Sequence, residues 1–274
     1  MFVEVAGGLW TGSLALLADA GHMLTDVAGI TLTLLAVWFA QRPPSPAHTY
    51  GFVRMEILAA LANGLILLGV AGLVLVEAWQ RLWAPREILA GPMLAVALLG
   101  LGVNLVAMWL LHEGAGESLN VRGAYLEILS DAVASLGVVA AGVVIWTTGL
   151  SRVDPIVSGL IGLFIVPRTW WLVRQAVHIL MEGAPFHLDV LEIERAMAEG
   201  PGVQTVHDLH VWTLTSGREA LSAHVLVDDL ADGQQVLEGL ETLLRKRFGI
   251  DHSTLQLETA HGLALVCRRP GSTD

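Results

Sequence analysis

Residues Leu14–Ala40 read LALLADAGHMLTDVAGITLTLLAVWFA. The run exceeds the roughly 20 apolar residues that a helix needs to cross a bilayer, yet it holds Asp19, His22 and Asp26. An ionisable group at the centre of a membrane costs at least about 2.5–3.5 kcal/mol, and such groups persist where they face a bundle interior and bind something. His22 and Asp26 are four residues apart, so on a helix they share one face with Cβ atoms about 5–6 Å from each other. A second apolar stretch, 120–148, repeats the arrangement, because LEILSD at 126–131 sets Glu127 and Asp131 four apart.

The two pairs offer four nitrogen and oxygen donors. Four such donors close a tetrahedron around Zn²⁺, with Zn–N about 2.0–2.1 Å and Zn–O about 2.0–2.2 Å. The competing reading is that each acid pairs with an arginine or caps a neighbouring helix. No Arg or Lys occurs within Leu14–Ala40 or 124–148, so such partners have to come from other helices, and a divalent metal site is the expectation. Asp19 lies on the same stripe as His22, either as a vestibule ligand or as an interfacial acid. Each of these side chains can take a proton or part of a metal ion, and metal binding needs them deprotonated. Metal and protons therefore compete for one site, the physical requirement for exchanging one against the other, and protons are the expected counter-substrate.

Composition agrees with a membrane setting. Of 274 residues, 54% are hydrophobic and 15% charged, with a mean hydropathy of +0.63, whereas a soluble domain carries about 25% charged residues. The net charge, 15 − 26 = −11, is uneven: residues 181–274 hold 15 acids and 7 bases, leaving 11 acids and 8 bases for residues 1–180. The chain is expected to divide into a membrane part at 1–183 and a soluble acidic tail at 184–274. An acidic tail argues against nucleic acid and for cations as partners. The lone Cys267 excludes an intramolecular disulfide and a multi-cysteine zinc cluster, so any metal site rests on His, Asp and Glu. The start of the chain has no positive region of the kind that opens a cleaved signal peptide.

In order, residues 1–10 form an apolar stub, about half a span, read as the end of a helix whose beginning lies upstream. Spans follow at Leu14–Ala40, Met55–Trp83, 91–111, 120–148 and 154–180. The fold class is an α-helical polytopic membrane domain, a six-helix bundle with its first helix truncated, in the cell (inner or cytoplasmic) membrane with a cytoplasmic tail. Gly69, Gly72, Gly100 and Gly102 read as helix-packing contacts, and Asn63 and Asn104 as interhelical hydrogen-bonding groups. The tail reads as a helix at 188–199, strands at 203–214 and 220–227, a helix at 233–248 and a strand at 254–259, a small ferredoxin-like α+β domain in the order αββαβ. His207, in HDLHVW, and His224 fall on facing strands, where opposed Cβ atoms lie about 4.5–5.5 Å apart, so the two can share a metal. His252 and His261 are near enough in sequence to contribute, and Asp208 and His210 can instead point outward.

With these residues in place, the chain resembles the cation diffusion facilitator family over nearly its whole length. The likeness rests on ADAGHMLTD (18–26), HTYGFVRMEILAAL (48–61), RGAYLEILSDAVASLGV (122–138), PGVQTVHDLHVWTLTSG (201–217), SAHVLV (222–227) and FGIDHSTLQLE (248–258). The resemblance implies homodimeric six-helix transporters in the lipid bilayer, exchanging Zn²⁺, Cd²⁺ or Co²⁺ for protons and exporting metal from the cytoplasm, and no enzyme activity. It places the transport site at His22, Asp26, Glu127 and Asp131, and adds the carboxylate of Glu258 to His207 and His224 in a regulatory cytoplasmic metal site. It also pairs Arg54 with Glu182 as a charge interlock between membrane bundle and tail. Two departures stand out. Many zinc exporters of the family carry His where this chain has Glu127, which makes its site more anionic and able to broaden metal choice or strengthen proton coupling. The first helix is also short. The loop after the second helix keeps only His48 among the family's loop ligands, with Ser45 and Phe52 at the other positions, so no site is expected there.

Two other functional classes compete with this one. A membrane-bound metal sensor or dimer partner that no longer transports is suggested by the short first helix. An intramembrane metalloenzyme would need an HExxH-like motif, and the sequence holds none.

Overall fold

The computed structural model describes residues 1–112, 114 and 119–259, with side chains described from 121 onward in the latter stretch. Glu113, Glu117, His261 and Cys267 lie outside them. Six helices come first: α1 (Phe2–Thr11), α2 (Leu14–Ala40), α3 (Met55–Trp83), α4 (Ala90–Leu111), α5 (Leu119–Thr148) and α6 (Val153–Leu180). The five from α2 to α6 are long and apolar enough to cross a membrane, while α1 has ten residues. Their outer faces carry exposed Leu34, Trp38, Leu73, Trp109 and Phe164. That apolar surface suits lipid, where the backbone groups of a spanning segment are satisfied within the helix. The chain forms two compact units, Met1–Leu35 with Ala59–Arg174, and Ala36–Leu58 with Gln175–Asp274.

In the first unit, Ala15 and Leu16 of α2, Met93 and Ala97 of α4, and Val138 and Ala141 of α5 make a buried cluster. Glycines permit close approach elsewhere: a Cβ at Gly7 would meet Val96 at 2.9 Å, and one at Gly64 would meet Val173 at 2.7 Å. The positions expected from sequence behave differently. Gly100 packs against Glu4, but Gly69, Gly72 and Gly102 face open space. A small residue aids packing only where a neighbour arrives, and periodicity along one helix does not say where that is.

A buried carboxylate joins the ends of two distant helices. Asp154, at the start of α6, accepts hydrogen bonds from Ser13 Oγ (2.6 Å), Leu14 N (2.8 Å) and Ala15 N (3.1 Å). The first N–H groups of a helix have no internal partner and usually find a capping side chain next to them in sequence. Here the cap comes from 140 residues away, and Ser13 Oγ accepts a further bond from Leu16 N at 3.2 Å. Just before it, Gly12 takes the left-handed conformation (φ 75°) that ends α1, and buried Arg81 of α3 donates to its carbonyl and to Glu77 Oε1.

The second unit contains α7 (Val190–Ala198), β1 (Val203–Thr215), β2 (Arg218–Val227), α8 (Gly233–Leu243) and β3 (His252–Glu258), in the αββαβ order expected. Asp189 caps α7 through Leu191 N and Glu192 N. The β1–β2 hairpin turns at Ser216 and Gly217, the latter at φ 70°. β1 runs antiparallel to β2, and β3 parallel to it, giving the order β1-β2-β3. Ile193, Met197, Leu221, Val225, Leu240 and Leu244 fill the core between sheet and helices.

Replacing Asp154 by alanine removes one cap and strands three buried donors. We expect a loss of about 2 kcal/mol or more, read as a lower unfolding midpoint in detergent, while Arg152→Ala on the exposed surface moves it by no more than about 0.5 kcal/mol.

Candidate metal centres

The first unit brings three of the four intramembrane residues to one point. His22 and Asp26 come from successive turns of α2 and Asp131 from α5. His22 Nε2 lies 3.6 Å from Asp131 Oδ1, and His22 Nδ1 lies 3.9 Å from Asp26 Oδ1. One ligand atom from each of the three falls within 4.8 Å of the others. These separations exceed a hydrogen bond. They approach the edge of a ligand tetrahedron, about 3.3–3.6 Å when each donor sits about 2.0–2.2 Å from the ion. His22 Nδ1 and Asp131 Oδ1 are buried without a hydrogen-bond partner. An imidazole and two carboxylates at these separations suit a divalent cation.

Glu127 is held elsewhere. Its Oε2 accepts a 2.6 Å bond from Arg168 Nη2 of α6. One turn along α5 from Asp131, its side chain is 34% exposed against 12% for Asp131. The cationic partner missing from residues 14–40 and 124–148 is thus supplied by α6, where an arginine inside an apolar span was itself the signal to follow.

Asp19, 3% exposed, lies inside the bundle and not at an interface. Its Oδ2 accepts from Ser135 Oγ (3.1 Å), which in turn accepts from Asn104 Nδ2 (3.2 Å), while Oδ1 has no partner. This chain ties α2, α5 and α4 together. Asn104 bonds between helices as expected. Asn63 does not: its Oδ1 is unpartnered, and its amide packs where a Cβ on Gly29 would sit.

The second unit holds another cluster. His207 and His224 are directly paired across β1 and β2, with ring centroids 5.4 Å apart. Glu258 lies two residues beyond the β3 partner of His224, Gln256, and side chains two apart share a sheet face. Its Oε1 is 2.6 Å from His224 Nδ1 and its Oε2 is 3.5 Å from His207 Nε2. His207 Nε2 and Glu258 Oε2 are buried and unpartnered, so two imidazoles and one carboxylate are disposed to hold a metal ion.

A register shift between His207 and His210 places Asp208 at φ 51°, a conformation uncommon for a residue other than glycine. There Asp208 reaches His210 Nε2 at 3.2 Å and stands 3.9 Å from His224 Nε2. Exposed His210 does not join the three. Nor does His252, at the far end of β3, whose ring meets Tyr50 edge-on at 5.6 Å. His48 stacks on Phe52, centroids 4.5 Å apart. Arg54 Nη2 donates to Glu182 Oε1 at 3.1 Å. Sequence reading passed over Glu56, which accepts from the hairpin hydroxyls of Thr215 and Ser216.

A helical bundle with a buried His–carboxylate cluster, followed by a small α+β domain, marks a multi-pass membrane transporter. The sequence profile of the cation efflux transmembrane domain matches residues 1–181, and that of the cation efflux protein cytoplasmic domain matches 185–260. The chain belongs to the cation efflux, or cation diffusion facilitator, family. It is 44% identical over 261 residues to the cation efflux system protein CzcD of Alcaligenes sp. (strain CT14), covering 95% of this chain and 83% of that one. It is 42% identical over 260 residues to the zinc transporter ZitB of Escherichia coli (strain K12), covering 94% and 83%. It is 37% identical over 276 residues to the cadmium, cobalt and zinc/H(+)-K(+) antiporter of Bacillus subtilis (strain 168), covering 98% and 88%.

Ser135→Ala removes the hydroxyl that donates to Asp19 and leaves a buried carboxylate unsatisfied. The expected cost is about 1–3 kcal/mol, visible as a lower thermal midpoint in detergent. An unchanged midpoint would show that the Asp19–Ser135 bond adds no stability.

Proposed function

We propose that the protein is a divalent metal cation:proton antiporter, exporting Zn²⁺, and also Cd²⁺ or Co²⁺, from the cytoplasm. The observation that carries this reading is the convergence of His22, Asp26 and Asp131 inside helices apolar enough to span a membrane, with two of their donor atoms buried and unpartnered. Glu127, one turn from Asp131, is the fourth ligand. Three carboxylates and one imidazole make an oxygen-rich site that takes hard and borderline divalent ions. The relatives support the same cargo: one is named a zinc transporter, and another a cadmium, cobalt and zinc/H(+)-K(+) antiporter.

Residues 1–183 carry transport, and 184–274 form a cytoplasmic domain that binds metal and holds a homodimer. His207, His224 and Glu258 would hold zinc there as a regulatory ion, which draws the three strands together. The Arg54–Glu182 pair is the charge interlock between the loop ahead of α3 and the end of α6.

In proteoliposomes, an imposed pH gradient is expected to drive metal uptake, and Asp131→Ala to abolish it. Because the ligands must shed protons to bind metal, affinity should fall as pH falls, by up to about tenfold per pH unit for each proton displaced. Uptake indifferent to the gradient would remove antiport, and equal uptake by Asp131→Ala would remove the site. For the tail, zinc at about 100 times its Kd should stabilise the full chain by about 2.7 kcal/mol. The His207→Ala, Glu258→Gln double variant should bind fewer ions per chain and lose most of that gain.

A further inference from the structure

Glu127 has two competing claims on it. Asp131, one turn away on α5, belongs to the cluster with His22 and Asp26, and Glu127 would complete a four-donor set. Yet its carboxylate is engaged by Arg168 at 2.6 Å, while the other three converge without it. A guanidinium stays charged under all ordinary conditions and grips a carboxylate through a rigid fork. Arg168 follows Pro167 inside α6, and a proline removes one backbone hydrogen bond and loosens its helix locally. The guanidinium therefore sits beside a missing backbone bond of the helix, and its side chain is 65% exposed.

The geometry points to Arg168 as a tethered counter-ion that competes with the cargo metal for Glu127. With Arg168 on Glu127, the site presents three donors. When a divalent ion enters, Glu127 leaves Arg168 and becomes the fourth ligand. When Arg168 recaptures Glu127, the ion is left with three donors and a weaker hold. The physical need is plain: Asp26, Asp131 and Glu127 put three carboxylates in one apolar bundle, and a cation must stand by the third when the metal is away. Arg168 would thus set affinity and release, and a Glu at 127 is the side chain that allows it, since an imidazole gives a guanidinium no anion to grip. This inference rests on the reading of Glu127 as a metal ligand.

The test is a double-mutant cycle on the full-length protein in detergent, titrated calorimetrically with Zn²⁺ and Cd²⁺ at fixed pH. All variants carry His207→Ala and His224→Ala, so that the tail cluster does not contribute. Glu127→Gln should weaken binding. Arg168→Gln should tighten it roughly fivefold, the scale of a partly exposed ion pair, and should have no effect once Glu127 is Gln. Arg168→Lys, which keeps the charge and the fold but loses the fork, should tighten binding by less. If Arg168→Gln shifts the Kd equally with and without Glu127, or weakens it in both, the tether is wrong while the ligand reading stands. If Glu127→Gln alone leaves the Kd unchanged, Glu127 is no ligand and both readings fall.

Discussion

Carboxylates carried into an apolar bundle must find partners on other helices, because neither lipid nor their own helix supplies them. That constraint organises the first unit. Asp154 of α6 meets the bare N–H groups that open α2. Asp19 of α2 takes the hydroxyl of Ser135 on α5, which leans on Asn104 of α4. Glu127 of α5 takes Arg168 of α6. Each contact pins one helix against another more specifically than aliphatic side chains can, since an orphaned buried polar group costs far more than a slipped methyl group.

The same constraint separates scaffold from site. Asp154 is fully satisfied by its three donors, which is the state of a structural group. Asp131 and His22 are buried but keep one atom each without a partner, and they sit at metal-ligand separations. Other buried oxygens of this unit are also without a partner, Asp19 Oδ1 and Asn63 Oδ1 among them, but His22 and Asp131 keep theirs beside Asp26, where a cation fits the charge and the geometry.

The cytoplasmic cluster reaches a similar composition by a different route. Hairpin register sets His207 against His224, and the parallel return of β3 brings Glu258 alongside. An irregularity after His207 takes Asp208 out of the regular ladder, which resumes at His210 opposite Ser222. The ligand positions follow from strand pairing, whereas the extra groups nearby depend on a local backbone strain.

Much of this was legible in the sequence for identifiable reasons. The 3.6-residue helical repeat places His22 beside Asp26, hydropathy marks α2 to α6, and period-two alternation with a turn at Ser216–Gly217 puts His207 and His224 on facing strands, though the register shifts that set them directly opposite are a feature of the folded hairpin. All of these depend on neighbours within one element or one hairpin. The partners that needed three dimensions were Asp154 capping α2, Arg168 holding Glu127, and Ser135 donating to Asp19. So did the finding that Gly69, Gly72 and Gly102 meet nothing while Gly7 and Gly64 meet a neighbour. These are contacts between helices far apart in the chain, and a helix's own pattern states what it can offer on each face but not which neighbour arrives there. Residue chemistry and spacing determined that ADAGHMLTD would present a histidine and a carboxylate side by side; only the packing of α5 and α6 decided that Asp131 joins them and Glu127 stands with Arg168.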